Sequence, residues 1–234
     1  MAQAHSVEDD EAAILDLIRY MKLGHYIRID GKPLLLVYRV GLFPDFKRTS
    51  ITWRKICREQ GIGEIYLAMV ESFEMVFNAV HPSTYGCDAS VEFPPQGMAE
   101  VRDPSGAITN ANFEGKIADY REIAARYCLR PQVPFTRFRG LMPGWDNTAR
   151  NQDKSFAFEN ATPGAFQAWA ETIIDQTRTM RAGDERIVFV NAWNEWAEGA
   201  YLEPDRRFGH TYLQAIKNAR EAVALKRRNR YALG

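Results

Sequence analysis

Five short apolar runs constrain this chain more than any other feature: Leu34 to Tyr38, Ile65 to Val70, Ala89 to Phe93, Val133 to Phe138 and Ile187 to Val190. Runs this short, rich in Val, Ile, Leu and aromatics and bounded by Gly, Pro or charge, have the pattern of fully buried parallel strands. Longer stretches of helical spacing lie between them. Ser6 is placed to cap a helix carrying Ala12, Ile14, Leu15, Ile18 and Met21, and further helices are expected from about Thr49 to Gln60 and Phe113 to Tyr127. Two more run from Thr162-Pro163 to about Met180 and from about Gly209 to Lys226. Strands alternating with helices make βαβ units and a parallel sheet. A closed (β/α)8 barrel needs eight strands. The expectation is therefore an α/β fold, a partial (β/α)8 TIM-type barrel of about five parallel strands alternating with helices, its N-terminal units missing. The whole of 1–234 reads as one catalytic-type domain, with apolar edge strands open to another chain.

The strand ends carry the chemistry. The last strand runs straight into Asn191, Trp193, Asn194, Glu195, Trp196 and Glu198. Indole faces pack on the apolar faces of sugar rings, while amides and carboxylates bind hydroxyls. Two glutamates three residues apart share a face if the chain turns helical there, and paired carboxylates suit work on a glycosidic bond. Earlier strands end in the same kinds of residue: Tyr38 with Arg39, Glu71, Glu92, then Trp145, Asp146 and Asn147, with Arg150 close behind. Carboxyl ends of parallel strands share a face, so these residues are candidates for a common polyhydroxylated ligand. Singly, Glu71 or Arg39 has the simpler use of forming an ion pair.

Composition removes other classes. Thirty basic and thirty acidic residues cancel, so no overall field attracts nucleic acid or anionic membrane. No run reaches the roughly 18 apolar residues of a membrane span. Cys57, Cys87 and Cys128 are odd in number and set in apolar surroundings, which reads as buried thiols and not a disulfide framework or metal site. The acidic start MAQAHSVEDDEAA has no apolar core of a signal peptide, and a cytoplasmic location follows by default. No glycine fingerprint for a dinucleotide or phosphate, no Ser-centred elbow and no HExxH is present. No cofactor and no metal are expected.

NAWNEWAEGAYLEPD, together with IRIDGKPLLLVYR, VEFPP and MPGWDNTAR, resembles the bacterial WbsX-type glycosyltransferases, also called glycoside hydrolase family 99-like proteins. The resemblance runs from about Val7 to Ala222. It implies a (β/α)8-type fold, and, from the related family 99 enzymes, endo-α-mannosidase chemistry with retention. Their two essential carboxylates stand three apart in a corresponding motif. By that likeness Glu195 is the base assisting a sugar 2-hydroxyl and Glu198 the acid/base at the glycosidic oxygen. Gln96 and Tyr201 stand where members often have histidine. Members usually also carry an N-terminal half with a Trp-Ala-Asn-Glu-Asn-Trp segment, so the chain reads as the C-terminal portion of the family domain.

The function so implied is a carbohydrate-active enzyme, glycosyltransferase or glycosidase-like, acting on oligosaccharide or polysaccharide in bacterial surface-polysaccharide and lipopolysaccharide metabolism. The alternative is a catalytically incompetent remnant or sugar-binding domain of the same fold. Expected partners are the glycan and either a second copy or a chain carrying the N-terminal half; nucleic acid is not among them.

Overall fold

Ser6 opens the first element as its sequence predicts: its hydroxyl accepts the Asp9 amide at 3.1 Å, and the Asp9 carboxylate accepts the Ser6 amide in return. The computed structural model describes residues 6–72, 80–97, 99–104, 106 and 108–232. In chain order the elements are α1 (Val7–Met21), β1 (Arg28–Ile29), β2 (Lys32–Val37), α2 (Phe46–Glu59), β3 (Tyr66–Glu71), β4 (Ala89–Glu92), β5 (Val101–Arg102) and β6 (Lys116–Asp119). There follow α3 (Tyr120–Cys128), β7 (Thr136–Leu141), α4 (Thr148–Asn151), β8 (Phe156–Glu159), α5 (Pro163–Met180), β9 (Val188–Val190), β10 (Asn194–Glu195), β11 (Ala200–Tyr201) and α6 (Thr211–Ala232). The short segment expected after Ser72 falls largely outside the described residues. The chain forms two compact units, one drawn from residues 1–92, 133–138 and 183–185, the other from 93–132, 139–182 and 186–234.

In the first unit β2, β3, β4 and the first half of β7 lie parallel, with Leu34 opposite Tyr66, Ala68 opposite Ala89 and Ser90 opposite Arg137. Every residue of β3 and β4 is buried, the polar Glu71, Ser90 and Glu92 included, as in a parallel strand covered on both faces. β1 adds an antiparallel edge through a tight turn at Asp30-Gly31, both at positive φ. Ile14, Ile18 and Met21 of α1 join Phe46, Trp53 and Cys57 of α2 in a core that includes Leu67 and Met69. α2 starts a turn before the expected Thr49, because Asp45 caps it by accepting the Arg48 amide at 3.0 Å. Within this unit Glu71 is 2% exposed and accepts hydrogen bonds from Ser90 at 2.6 Å and from Arg137 at 2.8 Å.

In the second unit the rest of β7 pairs with β9, Arg139 opposite Val188 and Leu141 opposite Val190. Here the sequence reading needs correction. Residues 116–119, expected inside the helix from about Phe113, are a strand, and residues 156–159, to which no element was assigned, are its parallel partner. β5 completes that second sheet antiparallel to β6. The strand period of Lys116-Ile117-Ala118-Asp119 is decided by a partner some forty residues away, which no local window senses. Strict alternation of strand and helix therefore fails between β4 and β7. β7 begins at Thr136, after Pro131 and Pro134, neither of which has an N–H for a ladder, and runs on to Leu141. β9 is half-buried at all three positions instead of fully buried; among the described residues β7 is its one sheet neighbour.

The core of this unit gathers Tyr120, Ile123 and Tyr127 of α3, Phe166, Trp169 and Ile173 of α5, and Tyr212, Ala215 and Ala219 of α6 around Leu141. The basic run Lys226-Arg227-Arg228 lies inside α6, which continues to Ala232, and not at its end. Lys226 and Arg227 bind Glu171 and Asp175 at 3.6 and 3.2 Å, lashing α6 to α5. Cys57 and Cys87 are buried, and desolvation pushes their thiols up to about 11 and about 12; Cys128 is only half-buried. Among the described residues no helix is long and apolar enough to cross a membrane.

Asp119 closes the second sheet. It caps α3 by accepting the Arg121 amide at 2.7 Å, and it also binds the Arg121 side chain, Arg102 at 3.0 Å and Asn160 at 2.7 Å. The Arg121 hydrogen bond first, with the backbone and Asn160 bonds behind it, outweighs burial and holds the carboxyl down from 3.8 to about 2. A depressed pKa stabilises the fold fully above the unfolded value and loses that contribution as pH falls through the folded value. Urea unfolding followed from pH 5 to pH 2 is therefore expected to show stability falling from about pH 4 downward. Asp119→Asn, which can still cap, is expected to cost on the order of 2 kcal/mol at pH 7 and to remove that share of the acid dependence.

Candidate functional site

β9 delivers the chain into the motif predicted to carry the chemistry. The Asn191 amide continues the ladder by donating to Leu141 O at 2.8 Å, and its side-chain amide donates to Pro94 O at 2.9 Å. Asn194-Glu195 (β10) then pairs antiparallel with Ala200-Tyr201 (β11), Glu195 opposite Ala200. The chain therefore forms a hairpin after β9. Trp196–Glu198 form a single 3-10 turn at its tip, closed by Gly199 at φ 61°. Leu202 and Glu203 amides donate back to Trp193 O at 2.9 Å each, so the segment after β11 folds onto the one before β10.

A second loop meets the tip. The Asp146 amide donates to Glu198 O at 2.8 Å, and Arg150 reaches the Glu198 carboxylate at 2.6 Å. Asp146 turns its own carboxylate to the amide and hydroxyl of Thr148, at 3.0 and 2.5 Å, starting α4 and thereby aiming Arg150. Asn147 is 8% exposed and accepts the Phe156 amide at 2.6 Å, which fastens the loop to β8. Trp145 accepts the Phe158 amide at its carbonyl, and its indole nitrogen is sealed from solvent with no hydrogen-bond partner among the described residues.

Aromatics cluster beside the hairpin. Trp196 stacks on Tyr201 at 3.9 Å and 21°, and its indole N–H donates to Glu203 at 2.8 Å. Trp145, Trp196, Tyr201, Arg207, Phe208 and Tyr212 line a cavity of about 410 Å³, a size that admits a small ligand. Burial, then the hydrogen bond to Asp205, raises the Tyr201 phenol, and burial pushes Tyr212 up to about 12, so both remain hydroxyl donors at neutral pH. Trp193 is exposed. Among the described residues no cluster of three or more His, Cys, Asp or Glu is placed to hold a metal ion.

The structure thus brings Glu198, Trp196, Asp146, Asn147, Trp145 and Arg150 together within the second unit, with Glu195 on the same hairpin. Tyr38, Glu71 and Glu92 belong to the first unit. Tyr38 is exposed, Glu92 is buried, and Glu71 has formed the ion pair that was its simpler use. Tyr201, Glu203 and Gly199 were not singled out as site residues by sequence. Alternation along Tyr201-Leu202-Glu203 was the available signal, since residues two apart on a strand share a face.

Residues 1–216 match the family described as glycosyltransferase WbsX. The chain belongs to that family. It is 41% identical over 218 residues to the uncharacterized protein WxcX of Xanthomonas campestris pv. campestris, and equally so to its counterpart in strain B100. Each match covers 93% of this chain, which spans 31% of the length of these relatives. Among solved structures this WbsX-family chain is similar to a glycoside hydrolase-like protein, with TM-score 0.64 and 14% identity over 90% of this chain and 60% of that one. It is also similar to the GH99 endo-alpha-mannosidase from Bacteriodes thetaiotaomicron in complex with BIS-TRIS-Propane, with TM-score 0.54 and 13% identity over 98% and 69% of the two chains. These likenesses bear on the fold, a mixed α/β architecture with parallel strands.

The close approach of the two loops gives a direct test. A Cβ on Gly199 would stand 2.8 Å from the Asp146 amide nitrogen and 3.0 Å from its carbonyl oxygen, at a φ that already disfavours side chains. Gly183 shares a positive φ of 49° but has open space around it. Gly183→Ala is expected to cost about 1 kcal/mol from backbone strain alone. Gly199→Ala should cost about 2–3 kcal/mol and shift Trp196 emission, both read in one fluorescence-detected urea titration.

Proposed function

We propose that this WbsX-family chain acts on glycosidic bonds, with Glu195 and Glu198 as the paired carboxylates. Glu195 is the base toward a neighbouring sugar hydroxyl, and Glu198 is the acid/base at the glycosidic oxygen. The observation that carries this proposal is the hairpin tip itself: it presents Glu198 to Arg150 and, in the same turn, supplies Trp196 to an aromatic cavity. A carboxylate held on the same turn as an indole that lines an aromatic cavity is an arrangement suited to acid-base work on a glycan. Trp193, Asn194, Trp145, Asp146 and Asn147 serve as the surrounding binding and positioning set within the second unit. Glu71 is assigned to the sheet, where it is bound by Ser90 and Arg137.

The five parallel strands β2, β3, β4, β7 and β9 support membership of a (β/α)8-type barrel, in which 1–234 is one catalytic-type domain. The substrate is an oligosaccharide or polysaccharide of the bacterial surface, lipopolysaccharide included, processed in the cytoplasm. Support for a glycan substrate is the family's glycosyltransferase description.

An oligosaccharide panel screened for both binding and turnover tests the proposal. Glu198→Gln, isosteric and still able to accept from Arg150, is expected to lower kcat by about 10²–10⁴-fold while leaving glycan affinity within a few-fold. Full turnover in that variant would exclude Glu198 as the acid. Binding of the panel without turnover in the unmodified chain would instead mark a sugar-binding domain.

A further inference from the structure

A second cavity, of about 320 Å³, opens in the second unit away from the hairpin residues. Its floor is apolar: Leu141 of β7, Val188 and Val190 of β9, Ile174 of α5 and Ile216 of α6. Its remaining lining is Thr177 and three arginines, Arg178, Arg186 and Arg220, with no acidic side chain among them. The acids of α5 are spoken for elsewhere, since Glu171 binds Lys226 and Asp175 binds Arg227. Arg186 spends its Nε on Arg181 O at 2.9 Å. Among the described residues Arg178 and Arg220 have no hydrogen-bond or ion-pair partner. Thr177 adds an independent sign: it is 3% exposed, lines this cavity, and its hydroxyl has no hydrogen-bond partner among the described residues.

Three permanent cations around an apolar pocket repel one another, and a buried hydroxyl without a partner forfeits its solvation. One ligand chemistry answers both. We propose that this cavity binds an organic phosphate or diphosphate. The anionic head is held by the guanidinium groups of Arg178, Arg186 and Arg220, with the Thr177 hydroxyl donating to it. The apolar or aromatic substituent lies on Leu141, Val188, Val190, Ile174 and Ile216. Arginine forks match phosphate oxygens in pairs, and this is their preferred use at the edge of an apolar site. The cavity volume suits one nucleoside or a short prenyl segment. The site stands on its own residues and does not depend on the glutamate pair, so each can fail without the other.

Isothermal titration of the full chain with inorganic diphosphate, uridine diphosphate and farnesyl diphosphate tests it. At least one organic diphosphate is expected to bind at a single site at least tenfold tighter than inorganic diphosphate. Whichever organic probe is tighter distinguishes a nucleotide source from a prenyl source. Arg178→Glu with Arg220→Glu should weaken that binding at least tenfold with an unchanged melting temperature, both side chains being exposed. Should the double variant fold poorly, Arg178→Gln alone should still weaken it several-fold. Thr177→Val, nearly isosteric, should also lose several-fold. Absence of saturable binding, inorganic diphosphate binding as tightly as both organic probes, or affinities untouched by the arginine changes in folded protein would overturn the assignment.

Discussion

The backbone of Gly199 lies against the backbone of Asp146, and the arrangement of the candidate site depends on that contact. With no side chain between them, the Asp146 amide reaches Glu198 O and the two loops lock. Everything around the carboxylate follows from the lock. Asp146 starts the turn that aims Arg150, Arg150 holds Glu198, and Asn147 ties the loop to β8. Each of these bonds taken singly is worth about 1 kcal/mol or somewhat more where charge assists. Together they hold the Glu198 carboxylate against Arg150, and under the role proposed for it that positioning matters more than the sum of the bonds does to stability.

Each unit also contains a buried anion that several strands share. Asp119 gathers Arg102, Arg121 and Asn160 in the second unit, and Glu71 gathers Ser90 and Arg137 in the first. Burying such pairs gains little net free energy, because desolvation offsets the attraction. Removing one partner of the Glu71–Arg137 pair, 2% and 7% exposed, costs far more, about 3–5 kcal/mol, since the other charge is left stranded. These groups thus specify which strands lie beside which. A parallel sheet made of apolar runs alone would tolerate a slipped neighbour much more readily.

Legibility from sequence followed the range of the forces involved. The capped helix at Ser6, the helix opened by Thr162-Pro163 and the strands at β3 and β4 are set by nearby residues and stand where expected. Lys116–Asp119 was misread because its fate is decided by Phe156–Glu159, remote in sequence. The β7 strand starts and ends three residues later than expected, because Pro134 cannot join the ladder and Arg139, 7% exposed, hid the interior end of the strand behind charge. At the site, residue types were legible and geometry was not. WNEWAEG announced indoles and carboxylates, but only the fold shows the hairpin that carries them, with Tyr201 and Glu203 behind Trp196.

The stacking of Trp196 on Tyr201 has a stereochemical consequence. One π-face of the indole is occupied by the phenol at 3.9 Å, and the ring's N–H is held by Glu203, so the indole cannot flip to offer the other side. A pyranose is itself two-faced: its axial C–H bonds alternate between the two sides, and an axial hydroxyl interrupts the C–H patch on the side where it stands. Under the glycan role proposed for this site, a platform with a single free face would sort sugars by which side they can turn toward it, favouring those whose C–H patch is uninterrupted. Epimers that differ in one axial hydroxyl would then be separated by contact with carbon alone, before any polar group is consulted.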